Sequence, residues 1–396
     1  MWYPHPGEVS SLTMQAPIHG TCDAAFHAVR DAFQNNFIEH GEIGASVYIT
    51  VNGVTVVDLW GGFSNPEKTS TWQEDQLVNA FSIGKGITAI VAAQCVANGL
   101  ITYDTRVASI WPEFAVHGKE DLTLRDLLGH RSGLPAIRKR LAPNAMFDWI
   151  HMTDALASEE PWWTPGTEHG YHVNTYGFLV GELLRRATGK SVGRLISEFI
   201  AEPLQAEIYL GTPIELHSRI ADYEWPNDPF PENEPTGLDE EQLLQFNTYY
   251  NPSGLSGAGV VNSAPWRQAE MPSTNVHASA RAISTLYTFL AYGGSHDGIE
   301  LLPREVLDIA SSEVSHGDDR VLHRMSRFAH GFQLPIPERG FGPNAESFGH
   351  FGAGGSVGFC DPKVKVGFGY VMNQMGPRWQ NPRNRALIDS LYSCLQ

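Results

Sequence analysis

Cysteine and basic residues are scarce in this sequence of 396 residues, and each shortage excludes a class of protein. The four cysteines, Cys22, Cys95, Cys360 and Cys394, lie far apart without paired spacing, which argues against a zinc site and a disulfide framework. Lys and Arg number 27 against 44 Asp and Glu, so the formal net charge is −17. Because such a surface repels phosphate backbones and anionic head groups, we expect neither a nucleic-acid partner nor a membrane partner.

Long apolar segments are also absent. No Lys or Arg precedes Arg30, and no apolar run of signal-peptide length lies near the start, so no secretory signal is predicted. The longest apolar stretch, residues 87–101, is interrupted by Gln94 and Asn98 and falls short of a membrane span. We therefore expect a soluble cytoplasmic protein with reduced thiols.

Strand signals lie near both ends of the chain. Residues 45–51 and 54–60 flank Asn52-Gly53, which is the signature of a β-hairpin with a type I′ turn. Residues 355–361 and 364–373 flank a second tight turn and predict another pair of strands. The sheet is therefore expected to draw on both ends of the sequence.

Helical patterns dominate the middle of the chain and its margins. Residues 22–38 predict an amphipathic helix, and apolar spacing from Tyr176 to Ala187 predicts a core helix that Gly189 ends. Asn381-Pro382 is typical of the start of a last helix.

Together these patterns predict an α/β fold of the α+β type, with an antiparallel sheet flanked by helices and an inserted, mostly helical domain. Residues 1–95 and 262–396 are predicted to form the discontinuous sheet domain, and residues 96–261 the helical one. Within the latter, residues 222–241 are rich in acid and proline without Lys or Arg. This segment is interpreted as a connecting loop, with a lid over an active site as the alternative.

A Ser-x-x-Lys pattern stands where the apolar helix after residue 82 begins. Its spacing places Lys85 on the same helix face as Ser82. A neutral amine can take the proton of a serine hydroxyl, and a helix N-terminus favours the alkoxide while disfavouring a second positive charge. We predict Ser82 as nucleophile and Lys85 as base, provided that burial lowers the lysine pKa. The alternative is a plain helix cap with Lys85 in solvent.

A second candidate run, residues 162–177, contains Tyr171 six residues after Pro165. With these motifs the chain resembles the serine β-lactamases and penicillin-binding proteins, and most closely the β-lactamase-like carboxylesterases called family VIII. Three flanking runs are also similar to stretches common in these proteins, namely residues 58–62, 122–134 and 275–281.

The resemblance implies the β-lactamase fold and a proton relay through Tyr171. A phenol serves as a base near neutrality only where cations lower its pKa, and Lys85 is the expected cation. Tyr176 is a rival tyrosine, but it belongs to the apolar face of the following helix. Trp162 and Trp163 are candidates for the walls of an acyl pocket or for core packing.

A third motif, residues 349–355, resembles the Lys-Thr-Gly triplet of the family with His350 at the lysine position. The resemblance implies an oxyanion hole formed by the backbone N–H groups of Ala353 and Ser82. Gly352 is expected to let substrate approach the strand edge closely. The alternative for His350 is a structural histidine.

Two departures from the family pattern favour an ester over a β-lactam. Val173 replaces the Asn of Tyr-x-Asn, with Asn174 one residue late, and His350 replaces the lysine. The resemblance implies that these positions hold the amide and carboxylate of penicillins. We therefore predict a serine carboxylesterase for small or short-chain esters. An acyltransferase, a β-lactamase or peptidase, and a catalytically inactive scaffold stay open as alternatives.

Other catalytic patterns carry less weight. Ser356 lies in a Gly-x-Ser-x-Gly sequence, but a second strand follows it instead of the helix that a nucleophile elbow requires. The sequence contains no His-Glu-x-x-His, and His169 and His172 lack an obvious carboxylate partner. We therefore expect no metal and no cofactor, and a small-molecule ester as the only predicted partner.

Overall fold

The computed structural model describes residues 16–225 and 236–396. Its strands are β1 (Ile18–Cys22), β2 (Gly44–Val51), β3 (Val54–Gly62), β4 (Val78–Asn79), β5 (Ile208–Tyr209), β6 (His277–Ala278), β7 (Ser295–His296), β8 (Ile299–Glu300), β9 (Ser315–Asp318), β10 (Met325–Phe328), β11 (Phe348–Phe351), β12 (Val357–Asp361) and β13 (Val366–Met372). Its helices are α1 (His27–Glu39), α2 (Ile83–Ala97), α3 (Val107–Ile110), α4 (Leu124–Leu128), α5 (Trp149–Ser158), α6 (Thr175–Thr188), α7 (Val192–Ile196), α8 (Glu202–Leu204), α9 (Glu240–Tyr250), α10 (Ala264–Gln268), α11 (Ala280–Ala291), α12 (Arg304–Ala310) and α13 (Pro382–Cys394).

Six antiparallel strands form the main sheet in the order β1-β3-β2-β13-β12-β11. The β2–β3 hairpin turns at Asn52 and Gly53, whose φ angles of 50° and 75° suit the predicted type I′ turn. Strand β13 lies between β2 and β12, so that Tyr370 pairs with Val47 on one side and Val357 on the other. The predicted mixed fold with an antiparallel sheet is confirmed, whereas the division into two domains stays a prediction.

Helix α11 packs closely on one face of the sheet through glycines. A Cβ atom on Gly367 would lie 2.2 Å from Thr288 Oγ1, and one on Gly369 would lie 2.2 Å from Ala280 O. Alternate residues of a strand face opposite sides, and Tyr370 accordingly reaches the other face, where α1 and α13 pack together. The sheet is thus covered by helices on both faces.

Helix α2 is buried on nearly all sides and connects the sheet to the helical part of the chain. It contacts β11 on one side and α6 and α7 on another. A Cβ atom on Gly86 would lie 2.7 Å from Tyr287 Oη of α11, which shows how closely the two helices approach. A helix that is apolar all round belongs in the interior, and α2 carries Ser82 and Lys85 there.

The predicted helix boundaries hold at two places and fail at one. Helix α6 ends at Gly189, whose φ is 71°, and Asn381 caps α13 by accepting the N–H of Arg383. The helix predicted from residue 22 begins only at His27, because residues 18–22 pair with β3.

The acidic segment is only partly described, since residues 226–235 lie outside the described residues. The last residues of the segment begin helix α9. Asp239 caps this helix by accepting the N–H of Gln242 at 2.8 Å, and Glu240 and Glu241 are its first two residues. Acidic side chains at this end complement the helix dipole. A lid role for the segment stays a prediction.

Within the described ranges, every helix is too short or too polar to cross a bilayer.

Candidate active site

Ser82 and Lys85 meet at the first turn of α2. Lys85 Nζ lies 3.2 Å from Ser82 Oγ, 2.6 Å from Val173 O and 3.3 Å from Ser273 O. The lysine is completely buried, and in the described part of the chain no carboxylate forms an ion pair with it. Burial lowers the pKa of Lys85 well below its ordinary value. A neutral amine has two N–H donors for the two carbonyls and one lone pair for the serine hydroxyl.

The backbone before Ser82 is held in an uncommon conformation. Phe81 has a φ of 48°, in the left-handed region that bulky side chains rarely adopt, and its ring packs edge-on against Tyr223 at 5.0 Å. Ser82 then begins the helix, and its N–H donates to no residue among those described. The first N–H groups of a helix lack partners within it, so this donor is free for a ligand.

Tyr171 lies beside the lysine and is fully buried. Lys85 Nζ is 4.8 Å from the centre of its ring, and its hydroxyl has no hydrogen-bond partner within the described chain. Burial raises the pKa of Tyr171 far above its ordinary value, while the nearby hydroxyl of Ser82 opposes the rise. The expected lowering of this pKa by Lys85 is wrong, because loss of solvent outweighs neighbouring charge. Tyr171 is a neutral phenol.

A buried carboxylate holds the backbone of Tyr171. Asp319 Oδ1 accepts the N–H groups of Tyr171 at 3.0 Å and of Val321 and Leu322 at 2.9 Å. Its Oδ2 accepts the hydroxyl of Ser326 at 2.8 Å. Asp319 is 148 residues from Tyr171 and lies in no motif, so the sequence carried no local signal for it.

Two aromatic rings flank Tyr171. Phe328 stacks on it at 5.7 Å with an interplanar angle of 10°, and Trp379 meets it edge-on at 4.8 Å. Trp162 and Trp163, the candidates for pocket walls or core packing, belong to a separate buried cluster. These two rings come from the last quarter of the chain, unlike Phe328 and Trp379.

His350 is buried on β11 and has only one nitrogen free. Its Nδ1 donates to Phe351 O at 2.7 Å, so Nε2 carries no proton, and Nε2 has no partner in the described chain. Burial lowers its pKa to about 3. The imidazole thus offers an acceptor, and its single N–H is already used by the backbone.

The turn after His350 passes directly against the segment before Ser82. A Cβ atom on Gly352 would lie 2.5 Å from Ala80 O and 2.1 Å from Ser356 Oγ, so only glycine fits. The N–H of Ala353, like that of Ser82, donates to no residue among those described. Two unpartnered backbone donors therefore stand on neighbouring segments.

A buried ion pair supports this turn from behind. Arg383 donates to Gly354 O at 2.9 Å and to Glu42 Oε1 at 2.8 Å, and Tyr370 Oη donates to the other oxygen of Glu42. Burial raises the pKa of Glu42, and Arg383 opposes the rise. The pair joins α13 and the segment before β2 to the loop that carries Ala353.

The rival residues have structural partners. Ser356 Oγ donates to Ala80 O at 3.2 Å and is followed by β12. Tyr176 lies in α6 and donates to Lys85 O at 3.2 Å, which places it under the helix turn. Asn174 donates to Thr248 O at 2.9 Å and so does not replace the missing amide at Val173.

The histidines near Tyr171 are also hydrogen-bonded. His169 Nε2 lies 2.9 Å from Ser326 Oγ, and His172 Nε2 lies 2.8 Å from Ser132 Oγ. Across residues 16–225 and 236–396, no three His, Cys, Asp or Glu side chains stand together as metal ligands.

Comparison with known proteins gives the family. A family model described as Beta-lactamase matches residues 28–393. The chain belongs to the beta-lactamase family. The family resemblance drawn from the Ser-x-x-Lys and tyrosine motifs is thereby confirmed, as is the prediction of a serine hydrolase with this fold.

Two curated relatives are esterases by name. The chain is 33% identical over 367 residues to "Esterase/beta-lactamase LipL" of Mycobacterium tuberculosis, with 90% of this chain and 83% of that protein covered. It is 27% identical over 208 residues to "Esterase EstB" of Burkholderia gladioli, with 48% and 52% covered.

Solved structures agree with the fold along almost the whole chain. A family VIII carboxylesterase superposes with a TM-score of 0.87 at 36% identity, covering 96% of this chain and 100% of the other. A penicillin-binding protein homologue from Caulobacter crescentus gives the same four values. A class C beta-lactamase from Rhodobacter sphaeroides, at 19% identity and a TM-score of 0.65, shares the fold, with 93% and 100% covered.

Proposed function

We propose that this protein is a serine carboxylesterase that hydrolyses small or short-chain carboxylic esters through an acyl-enzyme on Ser82. The observation that carries the proposal is the buried amine of Lys85, which lies 3.2 Å from Ser82 Oγ. An uncompensated cation in the interior is costly, so the amine is held in the neutral form that a base requires.

Acylation follows from the positions of four groups. Lys85 Nζ takes the proton of Ser82, and Oγ forms a bond to the ester carbonyl carbon. The carbonyl oxygen becomes an oxyanion, which accepts the N–H groups of Ser82 and Ala353. When the ester C–O bond breaks, the neutral phenol of Tyr171 gives its proton to the leaving alkoxide, and the ammonium of Lys85 returns a proton to the phenolate.

Deacylation runs through the same groups in reverse order. A water molecule gives a proton to the relay and attacks the acyl carbon, the oxyanion forms again, and Ser82 leaves with a proton from the relay. The products are one carboxylic acid and one alcohol, and every side chain returns to its starting state. The separation of roles agrees with the opposite pKa shifts of Lys85 and Tyr171.

The preference for esters rests on two side chains. Val173 contributes only its backbone carbonyl, to Lys85, and His350 is a neutral acceptor that offers a substrate carboxylate no charge. The relatives with 36% and 33% identity include a family VIII carboxylesterase and a protein named esterase/beta-lactamase. That second name favours β-lactam hydrolysis as a second candidate function. Transfer of the acyl group to an alcohol would use the same intermediate.

A comparison of probes tests the proposal. A fluorophosphonate should label the wild type and the Ser356→Ala variant and should not label Ser82→Ala. An unlabelled wild type would favour the inactive scaffold. Turnover of p-nitrophenyl butyrate is expected to exceed that of nitrocefin, and a kcat/KM for nitrocefin equal to or above that of the ester would overturn the substrate assignment. The cytoplasmic location predicted from the sequence stays a prediction.

A further inference from the structure

A cavity of about 310 Å³ reaches the two aromatic rings that flank Tyr171. Phe328 and Trp379, the two rings that contact the tyrosine, form part of its wall. Four arginines line it together with a single carboxylate, that of Glu338; they are Arg324, Arg327, Arg339 and Arg378. The lining of this cavity is therefore positively charged, whereas the whole chain has a formal net charge of −17.

Two of these arginines have neither a hydrogen-bond partner nor an ion-pair partner among the described residues. Arg327 pairs with Glu313 at 2.5 Å, whereas in the described chain the guanidinium groups of Arg324 and Arg378 form no hydrogen bond or ion pair. Arg324 is half-buried and lies over Trp379, with its guanidinium carbon 5.0 Å from the ring centre.

The surroundings of Arg324 increase the cost of leaving it unpaired. Burial lowers its pKa, as does the neighbouring charge of Arg378, and Asp319 opposes this without forming an ion pair. Arg339 lies close enough for Arg324 to lower its pKa too, and within the described residues its guanidinium donates to Met325 O alone. Clustered like charges in a partly buried site are stabilised when an anion binds among them.

The position of the cavity decides which part of a substrate it would receive. The ring of Trp379 contacts both Tyr171 and the guanidinium group of Arg324. Under the proposed function, Tyr171 protonates the leaving alkoxide, so groups beside this tyrosine face the alcohol part of the ester.

We propose that the cavity binds a carboxylate on the alcohol part of the substrate, held by Arg324 and Arg378. This inference rests on the proposed function and narrows its substrate class to esters of hydroxy acids. A planar guanidinium matches a carboxylate in a two-pronged arrangement, and the contact with Trp379 restrains the position of the Arg324 guanidinium. Hydrolysis would release one carboxylic acid and one hydroxy acid, with a molecule of water consumed.

A matched pair of esters tests the inference. The compounds para-butanoyloxybenzoate and para-butanoyloxybenzamide share the acyl group and differ at the far end of the leaving group by one charge. After division by their spontaneous hydrolysis rates, we expect kcat/KM to favour the benzoate by about tenfold or more, chiefly through KM. Arg324→Gln and Arg378→Gln should move this ratio towards one, and Arg324→Lys should retain part of it.

A control variant and a control substrate make the result specific. Arg194→Gln removes the same charge from a distant helix, where Arg194 pairs with Glu198, and should leave the ratio unchanged. Equal kcat/KM for the two esters, or a ratio that Arg324→Gln does not change, would refute the inference while leaving the esterase function standing. A preference for p-nitrophenyl hemisuccinate over p-nitrophenyl butyrate without any for the benzoate would place the anion on the acyl side and also refute it. Absence of hydrolysis of every ester would refute the proposed function and the inference with it.

Discussion

Replacing Asp319 by alanine should displace Tyr171 while leaving Ser82 and Lys85 in place. The Asp319 carboxylate is 2% exposed and accepts three backbone N–H groups and the hydroxyl of Ser326. Each buried donor left unpaired costs about 1–3 kcal/mol, but water can reach the half-buried donor of Leu322. We expect the free energy of unfolding to fall by about 3–5 kcal/mol in total.

The effect on activity comes from the position of the phenol. A shift of about 1 Å in a catalytic group costs on the order of 10²-fold in rate, so kcat for ester hydrolysis should fall by that factor with little change in KM. Because a loss of this size can leave Asp319→Ala partly unfolded, Asp319→Asn provides the second measurement. The amide of the new asparagine can donate to Ser326 Oγ. The Ser326 hydroxyl can in turn donate to His169 Nε2, which lies 2.9 Å from Ser326 Oγ in the wild-type structure. Asp319→Asn loses only the negative charge, so we expect its free energy of unfolding to be about 1 kcal/mol below that of the wild type.

Urea unfolding followed by fluorescence, together with initial rates on p-nitrophenyl butyrate, measures both effects. Ser82→Ala is the matched control, because it should abolish turnover with little loss of stability. Wild-type kcat and an unchanged urea midpoint in Asp319→Ala would refute the positioning role. A loss as large in Asp319→Asn as in Asp319→Ala would show that charge, and not the hydrogen-bond geometry, holds Tyr171.

Further predictions concern the relay, the turn and the buried pair. Lys85→Ala and Tyr171→Phe should each lower kcat by at least about 10²-fold, and the double variant should lose less than the product of the two, since both act in one relay. Because burial lowers the pKa of Lys85, the folded chain binds fewer protons there than the unfolded chain below the ordinary lysine pKa. The resulting loss of stability in the wild type grows as pH falls, and Lys85→Met does not have it. The free energy of unfolding of Lys85→Met minus that of the wild type should therefore be higher near about pH 7 than near about pH 10. Urea titrations at both pH values measure this difference. Gly352→Ala should push the turn away from Ala80 O and lower kcat by about 10²–10³-fold, the effect of one lost oxyanion donor, with Tm measured in parallel. Arg383→Met should cost about 3–5 kcal/mol in urea unfolding by leaving Glu42 buried and unpaired, and an added Glu42→Leu should restore most of it.

The parts of the site that the sequence predicted are those set by local geometry. The three-residue spacing of Ser82 and Lys85 becomes a contact wherever a helix forms, and Asn52-Gly53 forms its turn without help from distant residues. Phe328, Trp379 and Asp319 contact Tyr171 although all three are more than 100 residues away from it in sequence, and no local pattern predicts these contacts.

The two pKa shifts at the site differ in how far the sequence predicted them. The role of Lys85 as base required burial to lower its pKa, and burial does lower it. Tyr171 was expected to respond to its charged neighbour, but the sequence around it did not show that the ring is completely enclosed. Desolvation depends on every element that packs against a group, and most of those elements are remote in sequence.

The central place of β13 has a consequence for synthesis on the ribosome. Strand β2 can pair with β3 as soon as both have left the ribosome, but its other edge pairs with β13. Strand β13 is made about 300 residues later, which at a typical rate of translation is roughly 15–60 s. During that interval an apolar strand edge is open to pairing with other chains. The nascent protein therefore needs protection along β2, and a chain that stops short of residue 366 should be aggregation-prone however well its first segments fold.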